Sequence, residues 1–174
     1  MEITRAYVKS ILPHRDPEGH KGTFGKVYCL CGAVGYTGAP VLAASAAVRS
    51  GSGLVFLGVP KDIWPIVAVK CDSAMPSPLP SQQGKLALAA EDAVRARIDG
   101  CDAVLIGCGM GRSEESDALT RRLLDVDKPL VLDADGINAF ETHIPEIKRR
   151  QGKVTVMTPH EGEFFRADGD LSRG

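Results

Sequence analysis

The stretch KGTFGKVYCLCGAVGYTGAPVLAASAAVRSGSG, Lys21–Gly53, decides the fold. Its apolar run Val27–Cys31 predicts a buried strand, because β-prone residues are bounded there by glycines. A glycine-rich loop follows, and the alanine-rich segment from about Ala39 to Arg49 predicts a helix. A strand, a glycine loop and a helix N-terminus form an arrangement that binds anions through free backbone N–H groups. A phosphate-bearing ligand is therefore expected near Gly35–Pro40, although such a loop can also serve close packing alone.

The rest of the chain repeats this alternation of strand and helix. Apolar strands that alternate with helices predict right-handed βαβ units, hence an α/β fold with a parallel sheet and helices on both faces. Gly38 should stand at a helix N-terminus, and Val27–Cys31 should run parallel to Ala103–Ile106. The other predicted strands are Leu54–Val59, a brief one around Val69, Leu130–Leu132 and Val154–Met157, and the other predicted helices are Ile3–Ile11, Gln83–Ile98 and Glu114–Leu124.

Composition excludes several classes of function. The chain has 174 residues, 44% hydrophobic and 25% charged, which is ordinary for a soluble globular protein of one domain. A net charge of −1 argues against a nucleic-acid partner and against an anionic membrane. No apolar run approaches the roughly 20 residues of a membrane span, and the N-terminus lacks the apolar core of a signal peptide. The expected location is the cytoplasm, where the five cysteines would be reduced thiols.

Unusual residues gather where the predicted strands end. In open parallel sheets, ligands bind beyond the carboxyl ends of the strands. Four loops at these ends carry glycines or polar side chains, which predicts a binding site at this edge. They are Gly32–Gly38, Gly107–Gly111, the group Asp133, Asp135 and Asn138, and the pair His160 and Glu163.

Each cluster has an alternative interpretation. Gly107–Gly111, GCGMG, looks like a dinucleotide fingerprint, but its third glycine falls too early. Asp133 and Asp135 have the carboxylates that Mg²⁺ prefers, whereas Asp135 could equally cap a helix that begins near Gly136. His160 is either a structural residue or part of the site.

Six motifs carry a resemblance to a known family. In this order, and from about Leu12 to Arg166, they resemble the NAD(P)H-hydrate dehydratases, which are similar to ribokinase in fold and are often labelled carbohydrate kinases. The motifs are HKGTFG at 20–25, GYTGAP at 35–40, RSGSGL at 49–54, IGCGMGRS at 106–113, PLVLDADGIN at 129–138 and TPHEGEFFR at 158–166.

The resemblance implies an enzyme of nicotinamide-cofactor repair. Such an enzyme phosphorylates the ring hydroxyl of hydrated NADH or NADPH with ADP or ATP, with Mg²⁺ expected, and phosphate elimination restores the cofactor. His160 after Thr158-Pro159 favours ADP. No metal ligand is assigned. The substrate-binding residues implied by the resemblance are Gly35, Ala39, Gly109, Gly111, Asp133, Asn138 and His160.

The family's sequence continues through a Lys-Gly strand that meets the nucleotide and a Gly-Thr-Gly-Asp turn with the catalytic base. The 174 residues contain neither motif, since Gly169-Asp170 lacks the preceding glycine and threonine. We therefore expect one domain over 1–174 that lacks the C-terminal part of the fold, has an unknown base and shows little or no activity alone. The expected partners are a second copy of the chain or a missing C-terminal segment. A non-catalytic nucleotide-binding or assembly fragment and a ribokinase-like small-molecule kinase remain alternatives.

Overall fold

The computed structural model of the chain describes residues 2–167. Six strands form one parallel sheet, and two short strands, β4 and β5, form an antiparallel hairpin beside it. The strands are β1 Lys26–Leu30, β2 Leu54–Pro60, β3 Met75–Leu79, β4 Ser81–Gln82, β5 Lys85–Leu86, β6 Ala103–Ile106, β7 Leu130–Leu132 and β8 Thr155–Met157. The helices are α1 Arg5–Ile11, α2 Gly38–Arg49, α3 Trp64–Lys70, α4 Glu91–Asp99, α5 Glu114–Arg122, α6 Asp135–Asn138 and α7 Glu161–Arg166, with 3₁₀ turns at Leu88–Ala90, Leu123–Asp125 and Ile144–Arg150.

The order of strands across the sheet is β3-β2-β1-β6-β7-β8. Val27 in β1 pairs in parallel with Ala103 in β6, as expected, and α2 begins at Gly38. The α/β prediction is therefore confirmed. Over residues 2–167, no helix has both the length and the apolar composition of a membrane span.

Successive side chains of β1 point to opposite faces of the sheet, and a separate part of the hydrophobic core lies on each face. Tyr28 and Leu30 belong to a buried cluster that includes side chains of α4, α5 and α6. Cys29 and Cys31 point to the other face and pack in a cluster with α2 and α3. Helices thus cover both faces, because successive side chains of a strand point in opposite directions. Both thiols are free and fully buried, and burial raises the pKa of Cys29 to about 12.

The prediction of a strand around Val69 is wrong. Val69 lies in α3 with 83% of its surface exposed, and the strand is Met75–Leu79 instead. Pro76 and Pro78 made that segment look like a loop, since proline cannot donate to a sheet. However, β3 is at the edge of the sheet and pairs only with β2. The two-residue spacing turns both prolines to the open side, where no hydrogen bond is lost.

The helix predicted over Gln83–Ile98 is correct only in its second half. Gln83 and Gly84 form the turn of the β4–β5 hairpin, both with positive φ (50° and 73°), and α4 begins at Glu91. The apolar positions that suggested the longer helix are indeed buried, including Leu86. The helical spacing of the apolar residues is therefore misleading here. The chain forms a two-residue hairpin at Gln83 and Gly84 instead, and such a turn requires positive φ at both central residues.

Candidate functional site

The loops that follow β1, β6, β7 and β8 lie side by side along the carboxyl edge of the sheet, and each contacts the next. The N–H of Gly32, after β1, donates to the carbonyl of Cys108, after β6, at 3.0 Å. The Cys108 thiol donates to Oδ2 of Asp133, after β7, at 3.2 Å. The hydroxyl of Thr158, after β8, donates to Oδ1 of Asp133 at 2.7 Å. The predicted edge is therefore a continuous row of connected loops.

The loop between β1 and α2 presents backbone rather than side chains. Gly35 has a φ of 90°, and a Cβ at Gly35 or at Gly38 would meet no atom within 4 Å. Thr37 precedes α2 and caps it with no side-chain hydrogen bond. This loop therefore combines open space with a helix N-terminus that has no side-chain cap. A ligand that binds to the backbone requires both.

Gly109 brings the loop after β6 against the start of α2. A Cβ at Gly109 would lie 2.7 Å from the Cβ of Ala39 and 3.1 Å from that of Tyr36. Its φ of 63° also lies in the left-handed region. Only glycine satisfies both conditions, so Gly109 and Ala39, two of the predicted substrate-binding residues, form direct contact across the two loops.

The hairpin, which was not predicted from sequence, supports these loops from one side. The N–H of Val34 donates to the carbonyl of Gly84 at 2.8 Å, and a Cβ at Gly84 would clash with the Val34 side chain. The ammonium of Lys85 donates to the carbonyl of Arg112 at 2.7 Å, directly after the Gly107–Gly111 loop. The Gln-Gly dipeptide at the hairpin turn was the signal that could have revealed this support.

Asp135 holds the loop after β6 and does not cap α6. It is the first residue of that helix, and Ala134, with a φ of 48°, occupies the N-cap position. The carboxylate of Asp135 accepts a hydrogen bond from the N–H of Gly111 at 2.8 Å and another from Nδ2 of Asn138 at 3.4 Å. The expectation of a cap is therefore wrong, because the carboxylate accepts from the backbone of the neighbouring loop and not from a backbone N–H of its own helix.

The carboxylates of Asp133 and Asp135 are engaged by the protein itself. Each oxygen of Asp133 and of Asp135 already accepts a hydrogen bond from within the protein. Among the residues that the structure describes, no group of three or more His, Cys, Asp or Glu side chains could hold a metal ion. Each oxygen keeps a second lone pair, so these hydrogen bonds give both residues a structural role, and the pair alone assigns no metal site.

His160 caps α7 with its ring. Its Nδ1 accepts from the N–H of Gly162 at 3.0 Å and of Glu163 at 3.3 Å, and Glu163 in return accepts from the N–H of His160. The other ring nitrogen lies 3.2 Å from the Glu163 carboxylate, although 67% of the His160 side chain is exposed. The spacing of His160 and Glu163 is that of a capping box, a signal present in the sequence. The imidazole is thus directed to its own helix, and its role toward a ligand stays a prediction.

Asn138 connects α6 with α7. Its side-chain oxygen accepts a hydrogen bond from Nε of Arg166 at 3.1 Å, while its amide nitrogen contacts Asp135. The structure thus brings Gly109 against Ala39, and it links Gly111 and Asn138 through Asp135. Asp133 is joined instead to Cys108 and Thr158. A separate apolar cavity of about 840 Å³ lies beside β8, lined by residues that include Ile144, Ile147, Met157 and Phe164.

Comparison with known proteins gives a consistent assignment. The family profile of NAD(P)H-hydrate dehydratase matches residues 27–173. The bifunctional NAD(P)H-hydrate repair enzyme Nnr of Salinibacter ruber is 41% identical over 172 residues, which cover 97% of this chain and 32% of that protein. The ADP-dependent (S)-NAD(P)H-hydrate dehydratase of Bacillus subtilis is 34% identical over 167 residues, covering 95% of this chain and 55% of that one.

Solved structures show the same fold. A ribokinase-like superfamily protein of Enterococcus faecalis superposes with a TM-score of 0.76 at 20% identity, over 95% of this chain and 55% of that one. The Bacillus subtilis ADP/ATP-dependent NAD(P)H-hydrate dehydratase, co-crystallised with ATP/Mg²⁺, gives a TM-score of 0.69 at 28% identity, over 94% and 54%. The fold is therefore ribokinase-like, and the chain spans about a third of the bifunctional enzyme and about half of the dehydratase. Because the family profile matches residues 27–173, most of its length, the chain belongs to the NAD(P)H-hydrate dehydratase family.

Proposed function

We propose that this chain forms the hydrate-binding part of an ADP-dependent dehydratase that restores NADH and NADPH from their hydrated forms. The observation that carries the proposal is the contact between Gly109 and Ala39, where two loops meet with almost no side chain between them. A dinucleotide carries a diphosphate, which requires close approach to backbone N–H groups. Family membership indicates hydrated NADH or NADPH as the substrate class. The open backbone at Gly35 and Gly38 leaves space for such a ligand.

The substrate-binding residues divide into two groups in this proposal. Gly35, Ala39, Gly109 and Gly111 form a backbone wall against the dinucleotide. Asp133 and Asn138 hold that wall in place through their hydrogen bonds. His160 would meet the ligand through its Nε2 side or its ring face, because its Nδ1 caps the first turn of α7, a cap worth about 1 kcal/mol.

ADP would supply the phosphoryl group, with Mg²⁺ as its counter-ion. The carboxylates at the edge are occupied by internal hydrogen bonds, and we assign none of them to the nucleotide, to the metal ion or to the base. Phosphoryl transfer needs the donor held in line with the attacking hydroxyl, and a group to take its proton. We therefore expect binding of the hydrate by the 174-residue chain and little or no turnover.

A titration with hydrated NADH tests the binding. Gly109→Ala should weaken binding by about 10-fold or more, because the added methyl group displaces Ala39 and a dinucleotide contact is lost. Gly152→Ala is the matched control: Gly152 has a φ of 82°, so the backbone strain is similar, but its Cβ would meet no atom within 4 Å and it precedes β8 at the opposite edge. Equal affinities of the two variants, or no binding by the wild type, would refute the proposal.

A non-catalytic binding module is the second candidate, and the engagement of all four oxygens of Asp133 and Asp135 favours it. Both candidates expect little or no turnover by this chain alone, so a turnover assay tests them together. NADH formation from the hydrate is followed by absorbance with ADP and with ATP, and the Bacillus subtilis relative serves as the positive control. A rate comparable to that relative would contradict both candidates and would show that a base lies within this chain.

We also propose that a second copy of the chain covers the surface beside β8. Val154 and Val156 are 65% and 47% exposed, on the face opposite to Thr155 and Met157, which line the apolar cavity. Phe165 on α7 is 55% exposed. Apolar surface of this extent favours association. Light scattering after size exclusion should give a mass above one chain, and Val156→Lys should return it toward the monomer.

A further inference from the structure

We infer that Tyr36 is a stacking surface for a heterocyclic ring of the dinucleotide, an inference that rests on the proposed function and adds a specificity-determining side chain to it. Tyr36 lies in the loop between β1 and α2, three residues before Ala39, at the point where the loop after β6 approaches. It is the aromatic residue of the GYTGAP segment, otherwise built of small residues and backbone.

The backbone of Tyr36 is held firmly. Its N–H donates to the carbonyl of Ala33 at 2.9 Å, and its own carbonyl accepts from the N–H of Ala39 at 3.3 Å. Its Cβ packs against Gly109, where a Cβ would lie 3.1 Å away. The side chain therefore projects from a fixed backbone, so only its own two χ angles remain to be ordered when a ligand binds.

The ring itself has no structural task that would explain its position. Tyr36 is 58% exposed, and within residues 2–167 its ring neither pairs with another aromatic ring nor lies under a cation. The glycines on either side, Gly35 and Gly38, open onto free space. A flat apolar face at the rim of an open backbone wall is suited to stacking on a planar nitrogen heterocycle, as aromatic side chains do for bases.

The dinucleotide has two such rings, adenine and the dihydronicotinamide, and the experiment distinguishes them. Calorimetric titrations use NADH, then ADP-ribose, which carries only adenine, and reduced nicotinamide mononucleotide, which carries only the dihydronicotinamide. Tyr36→Ala should weaken NADH binding by about 10-fold, since one base stacked on an aromatic side chain contributes on this order. Tyr36→Phe keeps the ring and should bind as the wild type does. The half-ligand whose affinity falls in Tyr36→Ala carries the ring that stacks on Tyr36.

Leu42→Ala is the control, because Leu42 is 73% exposed on α2 and is not part of the site. Circular dichroism checks that each variant is folded, and removal of an exposed ring leaves no internal cavity. Should Tyr36→Ala bind NADH and both half-ligands as tightly as the wild type, Tyr36 is no stacking surface, while the proposed function stands. Failure of the wild type to bind any of the three would overturn this inference, and failure to bind hydrated NADH as well would overturn the proposed function with it.

Discussion

The N–H of Gly111 donates a 2.8 Å hydrogen bond to Oδ2 of Asp135, and this contact fixes the loop after β6 to the start of α6. Asp135→Ala should lower the free energy of unfolding by about 1.5–3 kcal/mol, because a hydrogen bond to a charged acceptor is lost. Asp135→Asn retains an acceptor and should lose less. Urea unfolding measures both, with Asp92→Ala, at an exposed position of α4, as the control. An unchanged midpoint for Asp135→Ala would contradict the role assigned here.

Ala134 has a positive φ of 48°, which side chains with a Cβ rarely adopt. Ala134→Gly should therefore raise the free energy of unfolding by about 1 kcal/mol, as the strain is relieved. The control is Ala93→Gly within α4, which should destabilise by roughly 0.5–1 kcal/mol, because glycine is unfavourable inside a helix. If both substitutions destabilise the protein equally, the strain at Ala134 is not real.

Arg150 is only 3% exposed and donates to the carbonyls of Leu124, Val126, Lys128 and Val154 and to the Thr155 hydroxyl. Burial lowers the pKa of its guanidinium. Lysine cannot reproduce this planar set of donors, so Arg150→Lys should cost about 3 kcal/mol of stability. The adjacent Arg149 is 43% exposed, and Arg149→Lys should change stability by less than about 0.5 kcal/mol. Thermal unfolding compares the two, and similar melting temperatures would refute the prediction.

Cys29 makes stability sensitive to high pH. Burial raises its pKa from 9.0 to about 12 in the folded chain. Below pH 9 the Cys29 thiol is protonated in both the folded and the unfolded chain. Between pH 9 and 12 the thiol ionises only in the unfolded chain, so the free energy of unfolding falls as the pH rises. Under reducing conditions, a shift from pH 8 to 10.5 should cost about 2 kcal/mol through this thiol. Cys29→Ala should reduce that loss, whereas Val55→Ala, a non-ionisable change in the same cluster, should leave the pH-dependent loss unchanged.

The sequence was sufficient for the parallel sheet and for the edge that carries the candidate site. The strand over Val27–Cys31 and the strand over Ala103–Ile106 are marked by apolar runs between glycines, and such runs depend little on their surroundings. The edge strand was missed because its signal is tertiary, and the hairpin was missed because the helical spacing of the apolar residues around it masked the Gln-Gly turn. Prolines are acceptable in β3 only since it lies at the sheet's edge, and Gln83 adopts positive φ only within a paired hairpin.

The functions of the individual polar residues at the site were less predictable, since they depend on which loops become neighbours. Asp135 was expected at Mg²⁺ or at a helix cap, and it binds the N–H of Gly111 instead. That partner lies 24 positions away in the sequence, and only the packing of α6 against the loop after β6 brings the two together. In contrast, the contact of Gly109 with Ala39 could be anticipated, because both follow central strands that are adjacent in the sheet.

Pro76 and Pro78 determine at which end of the sheet a further strand can pair. With both proline nitrogens facing outward, β3 offers few donors to an incoming strand and terminates the sheet on that side. The strand at the opposite end, β8, carries no proline over Thr155–Met157. Any further strand, from this or another polypeptide, would therefore pair with β8. The sheet can be extended at that end only, and the row of loops at its carboxyl edge would be extended in the same direction.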